Sequence, residues 1–267
     1  MHKTSSRDRL KHGRRLRPAY VGAALLKAVI FDLDNTLTDF ARMKERAVEG
    51  AAEAMVDAGL PRTRDEVVAG INEIYGEYGI EYQHVFDEYL KSILGRVDER
   101  ILAAGIVGYR QGREGTLNLY PHVNLTLLEL AKRGLRLAVL SDAPARQAWL
   151  RLAYLKLHNL FDAVVTHDDT GRLKPSCEPF YLVLDWLDVE PYEALMVGDW
   201  PERDIVGAKA IGITTVYARY GDLSGKGRGG ADYAIDDILD VVKIADYINN
   251  QGTLLEGDDP QGLEETD

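Results

Sequence analysis

Asp32 and Asp34 stand at alternate positions just after a short apolar run, Ala28 to Phe31, in the stretch Lys27-Ala-Val-Ile-Phe-Asp-Leu-Asp-Asn-Thr-Leu37. Such a run reads as a buried strand of a parallel sheet, and ligands of open α/β sheets bind beyond the carboxyl ends of the strands. Two carboxylates placed there repel one another unless a cation or a reaction uses them. Other polar groups follow the same pattern. Ser141-Asp142 ends the run Leu135 to Leu140, Gly198-Asp199 ends Ala194 to Val197, and Lys174-Pro175 lies on the loop between them, with Asp204 a few residues beyond. Asp32 and Asp199 are hard oxygen donors of the kind magnesium prefers. Ser141 and the amides of its turn can donate to a phosphate, and Lys174 can balance its charge. Phosphoryl transfer needs little more than such positioning and charge stabilisation.

The elements that must position these groups come in two kinds. From Pro121 onward strands and helices alternate. Strands are predicted over 135–140, 163–166, 194–197, 213–217 and 233–235, with helices to about Leu155, over 179–187, 204–212 and 238–248. That alternation predicts an α/β fold, a parallel sheet with helices on both faces. Residues 40–113 read instead as four helices, the second opened by the capping-box pattern Thr63-Arg-Asp-Glu66, and so as a small helical bundle inserted into the main domain. Arg113 to Tyr120 would return the chain to the sheet. The expected division is 19–39 with 114–250 as the α/β domain and 40–113 as the insertion.

The 267 residues, 46% hydrophobic, suffice for such a domain with a well-buried core. A net charge of -11 argues against phosphate-backbone binding, so no nucleic-acid partner is expected. No run approaches the roughly 18–20 apolar residues of a membrane span. The single cysteine, Cys177, requires no oxidising compartment. Residues 1–18 are strongly basic and include the pair Arg14-Arg15. They are read as a flexible basic arm on a cytoplasmic protein, with a cleaved leader as the competing reading. Residues 251–267 carry six acids and read as an acidic tail.

Asp32-Leu-Asp-Asn-Thr36, Ser141, Lys174-Pro175 and Gly198-Asp199…Asp204 resemble, in order, the four motifs of the haloacid dehalogenase (HAD) superfamily. The helical block resembles the α-helical cap of one large branch, and the likeness runs over about residues 27–245. It implies a Rossmann-like HAD fold with an inserted cap. It casts Asp32 as a nucleophile forming an aspartyl-phosphate, Asp34 as general acid–base with its backbone carbonyl on the metal, and Lys174 as the group steadying nucleophile and phosphoryl. Thr36 and Ser141 become phosphate contacts, while Asp199 and Asp204 join Asp32 around Mg2+; Asp142, next to Ser141, reads evenly as a cap of the following helix or a contact to the substrate phosphate. Asn35 takes a place where many relatives have Gly, since Asn tolerates a left-handed backbone. An acid at position 34 points to a magnesium-dependent phosphatase and away from the metal-free dehalogenases. Its substrate would be a small phosphorylated metabolite and the enzyme a monomer or homodimer. A phosphomutase or phosphotransferase, or a catalytically idle binding protein on the same fold, are the rivals.

The insertion says less. Tyr75, Tyr78, Tyr82, His84, Phe86 and Tyr89 read as core before pocket, and Arg62 and Arg64 as a solvated loop at a place where relatives set specificity. Asp204 serves equally as a helix N-cap. The cap is expected to close over substrate and exclude water.

Overall fold

Ala28–Phe31 forms β1, a strand with all four side chains buried. A strand that is apolar on both faces needs cover on both sides, and β1 takes the middle of the sheet. It pairs in parallel with β2 (Arg136–Leu140) on one side and β4 (Ala194–Gly198) on the other, Ile30 lying opposite Ala138 and Met196. With β3 (Ala163–Val165), β5 (Thr214–Ala218) and β6 (Tyr233–Ile235) the order is β3-β2-β1-β4-β5-β6, parallel throughout. The strand order reverses at β1, so a crevice opens at its carboxyl end. The computed structural model describes residues 25–256 apart from 224 and 226, and side chains as far as residue 250.

The pleat of β1 divides the core in two. Val29 and Phe31 face one apolar cluster with Leu127 and Leu130 of α5 (Val123–Lys132), Leu152 of α6 (Ala145–Tyr154) and Val241 of α10 (Asp240–Glu256). Ala28 and Ile30 face another, with Phe180 and Val183 of α8 (Cys177–Leu187) and Ala208 of α9 (Val206–Ala210). A one-turn helix, α7 (His167–Thr170), follows β3. These are the predicted strands, in the expected α/β arrangement of a parallel sheet with helices on both faces.

Between β1 and β2 the chain forms α1 (Phe40–Asp57), α2 (Arg64–Tyr78), α3 (Val85–Leu94) and α4 (Glu99–Thr116). These helices share an apolar cluster of their own, with Met55, Ile71, Phe86, Leu90 and Ile101 at its centre. The capping box of Thr63 and Glu66 opens α2 as predicted. Helices α1 and α4 cross closely, because a Cβ at Gly108 would stand only 2.2 Å from the carbonyl oxygen of Gly50. The chain leaves and re-enters the sheet side by side. Asp39 N and Thr38 Oγ1 both donate to Asn118 O, at 3.2 and 2.9 Å, and Tyr120 N donates to Leu37 O at 3.0 Å.

Two helix ends differ most from expectation. Helix α4 runs to Thr116, so the return connection is shorter than Arg113 to Tyr120. Helix α10 continues to Glu256, into a segment whose composition reads as tail. The basic arm at 1–18 and the rest of the acidic tail lie outside the described residues. Among the described residues, no helix is long and apolar enough to cross a membrane.

Candidate active site

Asp32 follows directly on β1, its amide still bonded to Val197 O at 2.9 Å. The chain then turns sharply at Asn35, which adopts φ +60° as its residue type allows. The Asn35 side chain accepts from Ala41 N at 2.9 Å and so ties the turn to the start of α1. Gly221 closes over this turn from the loop after β5. A Cβ there would stand 1.7 Å from Asn35 O, so that approach admits only glycine.

Carboxylate oxygens of Asp32, Asp199 and Asp204 lie within 4.8 Å of one another, and all three residues are buried. The ammonium of Lys174, itself buried, pairs with Asp32 and stands 2.7 Å from Asp204 Oδ1, while donating to Leu140 O at 3.0 Å. Burial pushes the Asp32 carboxyl well above the usual range, and the charges of Asp204 and Asp199 push the same way, against the pull of Lys174. Asp199 is driven to about 8, by burial and then by the charge of Asp204. Burial alone would lower Lys174, but Asp204 and Asp32 more than offset it and raise it. Three buried carboxylates against one ammonium leave a surplus of negative charge, which a small divalent cation would neutralise. The donor set, all oxygen, fits Mg2+.

Asp34 is set apart from this cluster. Its Oδ2 lies 3.2 Å from Arg151 Nη1, and its buried Oδ1 has no hydrogen-bond partner among the described residues. Burial raises it to about 6, held from going further by Arg151. Arg151 reaches across from α6, its other Nη bonded to Glu81 between α2 and α3, and its guanidinium lies over the Phe40 ring at 4.4 Å. Behind it a cavity of about 730 Å³ opens between α1, α4 and α6, with Lys44, Tyr109 and Arg113 among its walls.

Several sequence-based expectations change here. Thr36 is fully buried and its hydroxyl donates to Asp199 Oδ1 at 2.9 Å, so it orients that carboxylate. Asp142 does not cap the helix that follows it. Its Oδ1 accepts from Lys174 N at 2.9 Å, its Oδ2 pairs with Arg203 at 3.2 Å, and Asp168 takes the amide at the start of α6. Asp204 is not an N-cap. It lies inside a wide helical turn, Pro201–Ile205, with its Oδ2 accepting from Trp200 N at 3.0 Å. Ser141 is buried at the end of β2, its Oγ accepting from Ala143 N at 3.2 Å. Tyr75, Phe86 and Tyr89 are core, as the helical spacing suggested, yet Tyr75, Phe86 and Tyr82 also line that cavity, and Tyr82 and Tyr78 stack on one another at 4.8 Å. Arg64 is half exposed and pairs with Glu49 at 3.1 Å.

Sequence reasoning missed Arg151, Glu81 and Lys44. Two of them carried a signal. Arg151 falls with Ala148 and Leu152 on the buried face of α6, and Lys44 with Met43, Ala47 and Val48 on that of α1. A charge on the apolar stripe of a helix needs a partner, and both are placed by that stripe.

A haloacid dehalogenase-like hydrolase family model matches residues 26–212. A glyceraldehyde 3-phosphate phosphatase of Methanocaldococcus jannaschii is 34% identical over 223 residues, 82% of this chain and 97% of that protein. One of Pyrococcus furiosus is 31% identical over 227 residues, 84% and 95% of the two chains. The crystal structure of a HAD phosphatase from Thermococcus onnurineus superposes with a TM-score of 0.62 at 29% identity, covering 82% of this chain and 97% of that one. With the sheet order, the strand-end acids and the helical layer between β1 and β2 all in agreement, the chain belongs to the haloacid dehalogenase-like hydrolases.

Proposed function

We propose that the protein is a magnesium-dependent phosphatase of small-metabolite phosphate monoesters, working through an aspartyl-phosphate on Asp32. The observation that carries this is the division of acids: three carboxylates gathered around Lys174, and a fourth, Asp34, held apart on Arg151. Asp32, whose ionised form Lys174 favours and a bound cation would favour further, offers an oxygen to phosphorus. The bond to the leaving oxygen breaks, and Asp34 gives that oxygen its proton. Asp34, now a carboxylate, takes a proton from water as the water attacks the phosphoryl group, which frees Asp32 and releases phosphate. A carboxyl near 6 serves both halves close to neutral pH.

Mg2+ held by Asp32, Asp199 and Asp204, with the Asp34 backbone carbonyl, would neutralise charge on the phosphoryl oxygens. Thr36 keeps Asp199 oriented for it, and Asp142 keeps the Lys174 loop in place. Ser141, buried at the strand end, is the phosphate contact of this reading. The four helices α1–α4 act as the cap that covers the leaving group.

The similarity to archaeal glyceraldehyde 3-phosphate phosphatases supports small esters as the substrate class. Phosphate release across a panel of small phosphate esters, with magnesium and with EDTA, tests the reading. Release that depends on magnesium and is lost in Asp32→Asn is expected. Release of the phosphate only to an acceptor sugar would replace hydrolysis by transfer.

A further inference from the structure

Lys44 is a buried cation that the chemistry above does not use. Its ammonium donates to Ile80 O at 2.8 Å and Tyr109 Oη at 3.0 Å, and lies 3.9 Å from the centre of the Tyr75 ring. An ammonium has three hydrogens, so one has no hydrogen-bond acceptor among the described residues and is left to the Tyr75 ring. Among the described residues no carboxylate stands within ion-pair distance of it. Burial draws it down to about 8, and Glu81, the acid that acts on it most, does not undo this. A lysine held this way lacks the anion that would repay its loss of water.

The rest of the cavity has the same imbalance. Arg151 is more than nine-tenths buried, and its Nη1, though 3.2 Å from Asp34, makes no hydrogen bond among the described residues. Arg113 joins the wall from α4. Of the acids that face this space, Glu81 is taken by Arg151, and Glu114 is exposed and 3.9 Å from Arg113. Arg151 belongs both to the cavity wall and to the pair with Asp34. Arg151 thus links Asp34 to the cavity whose wall includes Lys44.

We propose that this cavity seats the leaving group and that Lys44 is a specificity-determining residue, selecting phosphate esters whose far end carries a second anionic oxygen group, a carboxylate or a phosphate. The proposal rests on the phosphatase reading. An anion against Lys44 and Arg151 supplies the compensation that the chain withholds, through charge-assisted hydrogen bonds. A hydroxyl or aldehyde offers only a neutral acceptor. The inference thus separates this chain from its archaeal relatives, whose named substrate ends in a neutral aldehyde.

The test compares kcat/KM for phosphoglycolate and 3-phosphoglycerate with that for glycerol 3-phosphate and glyceraldehyde 3-phosphate. Wild type, Lys44→Met and Lys44→Arg are measured, with an aryl phosphate as common reference. Wild type should prefer the anionic esters by about tenfold or more, the worth of one charge-assisted hydrogen bond. The preference should fall about tenfold in Lys44→Met, chiefly through KM, and return in Lys44→Arg. Equal losses on both ester classes, or a wild-type preference for the neutral ones, overturn it. Thermal shift gives a readout free of turnover. Phosphoglycolate should raise the melting temperature of wild type and Lys44→Arg more than glycerol 3-phosphate does, and Lys44→Met should lose that difference. If the two ligands shift wild type equally, Lys44 is not selective. No phosphate from any ester, with the differential shift intact, removes the activity and leaves the anion subsite standing.

Discussion

Arg151 and Asp34 stand 3.2 Å apart, guanidinium nitrogen to carboxylate oxygen, although one lies on α6 and the other follows β1. The same guanidinium bonds Glu81, so a single buried side chain serves one acid of the sheet and one of the helical layer. Arg151→Met should leave both acids without their cation. Removing one partner of a buried pair costs about 3 kcal/mol or more. The melting temperature should fall clearly, and phosphate release should drop further than the unfolded fraction explains, because Asp34 loses its orientation. Unfolding monitored by circular dichroism beside kcat measurements on the folded fraction separates the two effects.

The two acids of β1 should fail differently. Asp32→Asn removes the attacking oxygen and should abolish turnover on every ester. Asp34→Asn keeps the attacker but removes the proton donor, and should slow turnover by roughly a hundredfold to ten-thousandfold. Its loss should be smaller for an aryl phosphate, whose leaving oxygen needs less help from a proton. Equal losses on aryl and alkyl esters would contradict the role given to Asp34.

Metal-free protein should lose stability as pH rises. Asp199 titrates near 8 in the folded chain, and Asp32 is raised as well, whereas an unfolded aspartate titrates near 4. Between those values the folded state holds more protons than the unfolded one, so stability falls as pH climbs through that window. A cation relieves the same repulsion. In thermal unfolding with EDTA the melting temperature should decline from pH 5 to 8, and magnesium should raise it more at pH 8 than at pH 5. A magnesium increment independent of pH would place the ion elsewhere.

Lys44 makes the opposite use of linkage. Its folded value near 8 lies below the ordinary value of 10.5, because burial outweighs Glu81 and Asp34, with Arg151 and Arg113 adding to the effect. The penalty is therefore fully present below pH 8 and fades as pH rises toward 10.5. A shift of that size corresponds to about 3 kcal/mol. Lys44→Met keeps the stem and discards the charge, so it should melt higher than wild type at pH 7, with the gap narrowing by pH 10.

The sheet and its active end were legible from residues 27–37, 135–142 and 194–199 because buried parallel strands leave continuous apolar runs. The acids that end them have no packing use. Side-chain direction was not legible. Thr36 and Asp142 stand in the motifs, yet each spends its oxygen on a neighbouring motif residue, Asp199 and Lys174, a matter of rotamer and distance that spacing does not encode. Arg151 and Glu81 were invisible as a pair because 70 residues and two different layers separate them. The bounds of α4 and α10 slipped for a simpler reason, since both helices continue through polar residues that suit a helix as well as a loop.

The hydrogen-bonded segments 37–39 and 118–120 are the two-lane connection between the sheet and the four helices, and the close glycine crossing of α1 and α4 stiffens what lies beyond them. Any swing about that connection acts as a lever. Lys44 lies six residues past Thr38, ~9 Å along the helix, while the far end of α1 is ~27 Å from its start. A rotation of roughly 10° would move the outer helices by about 5 Å and Lys44 by only about 1.5 Å, on the helical rise alone. On such a swing the outer helices would travel far and Lys44, near the pivot, would stay nearly in place.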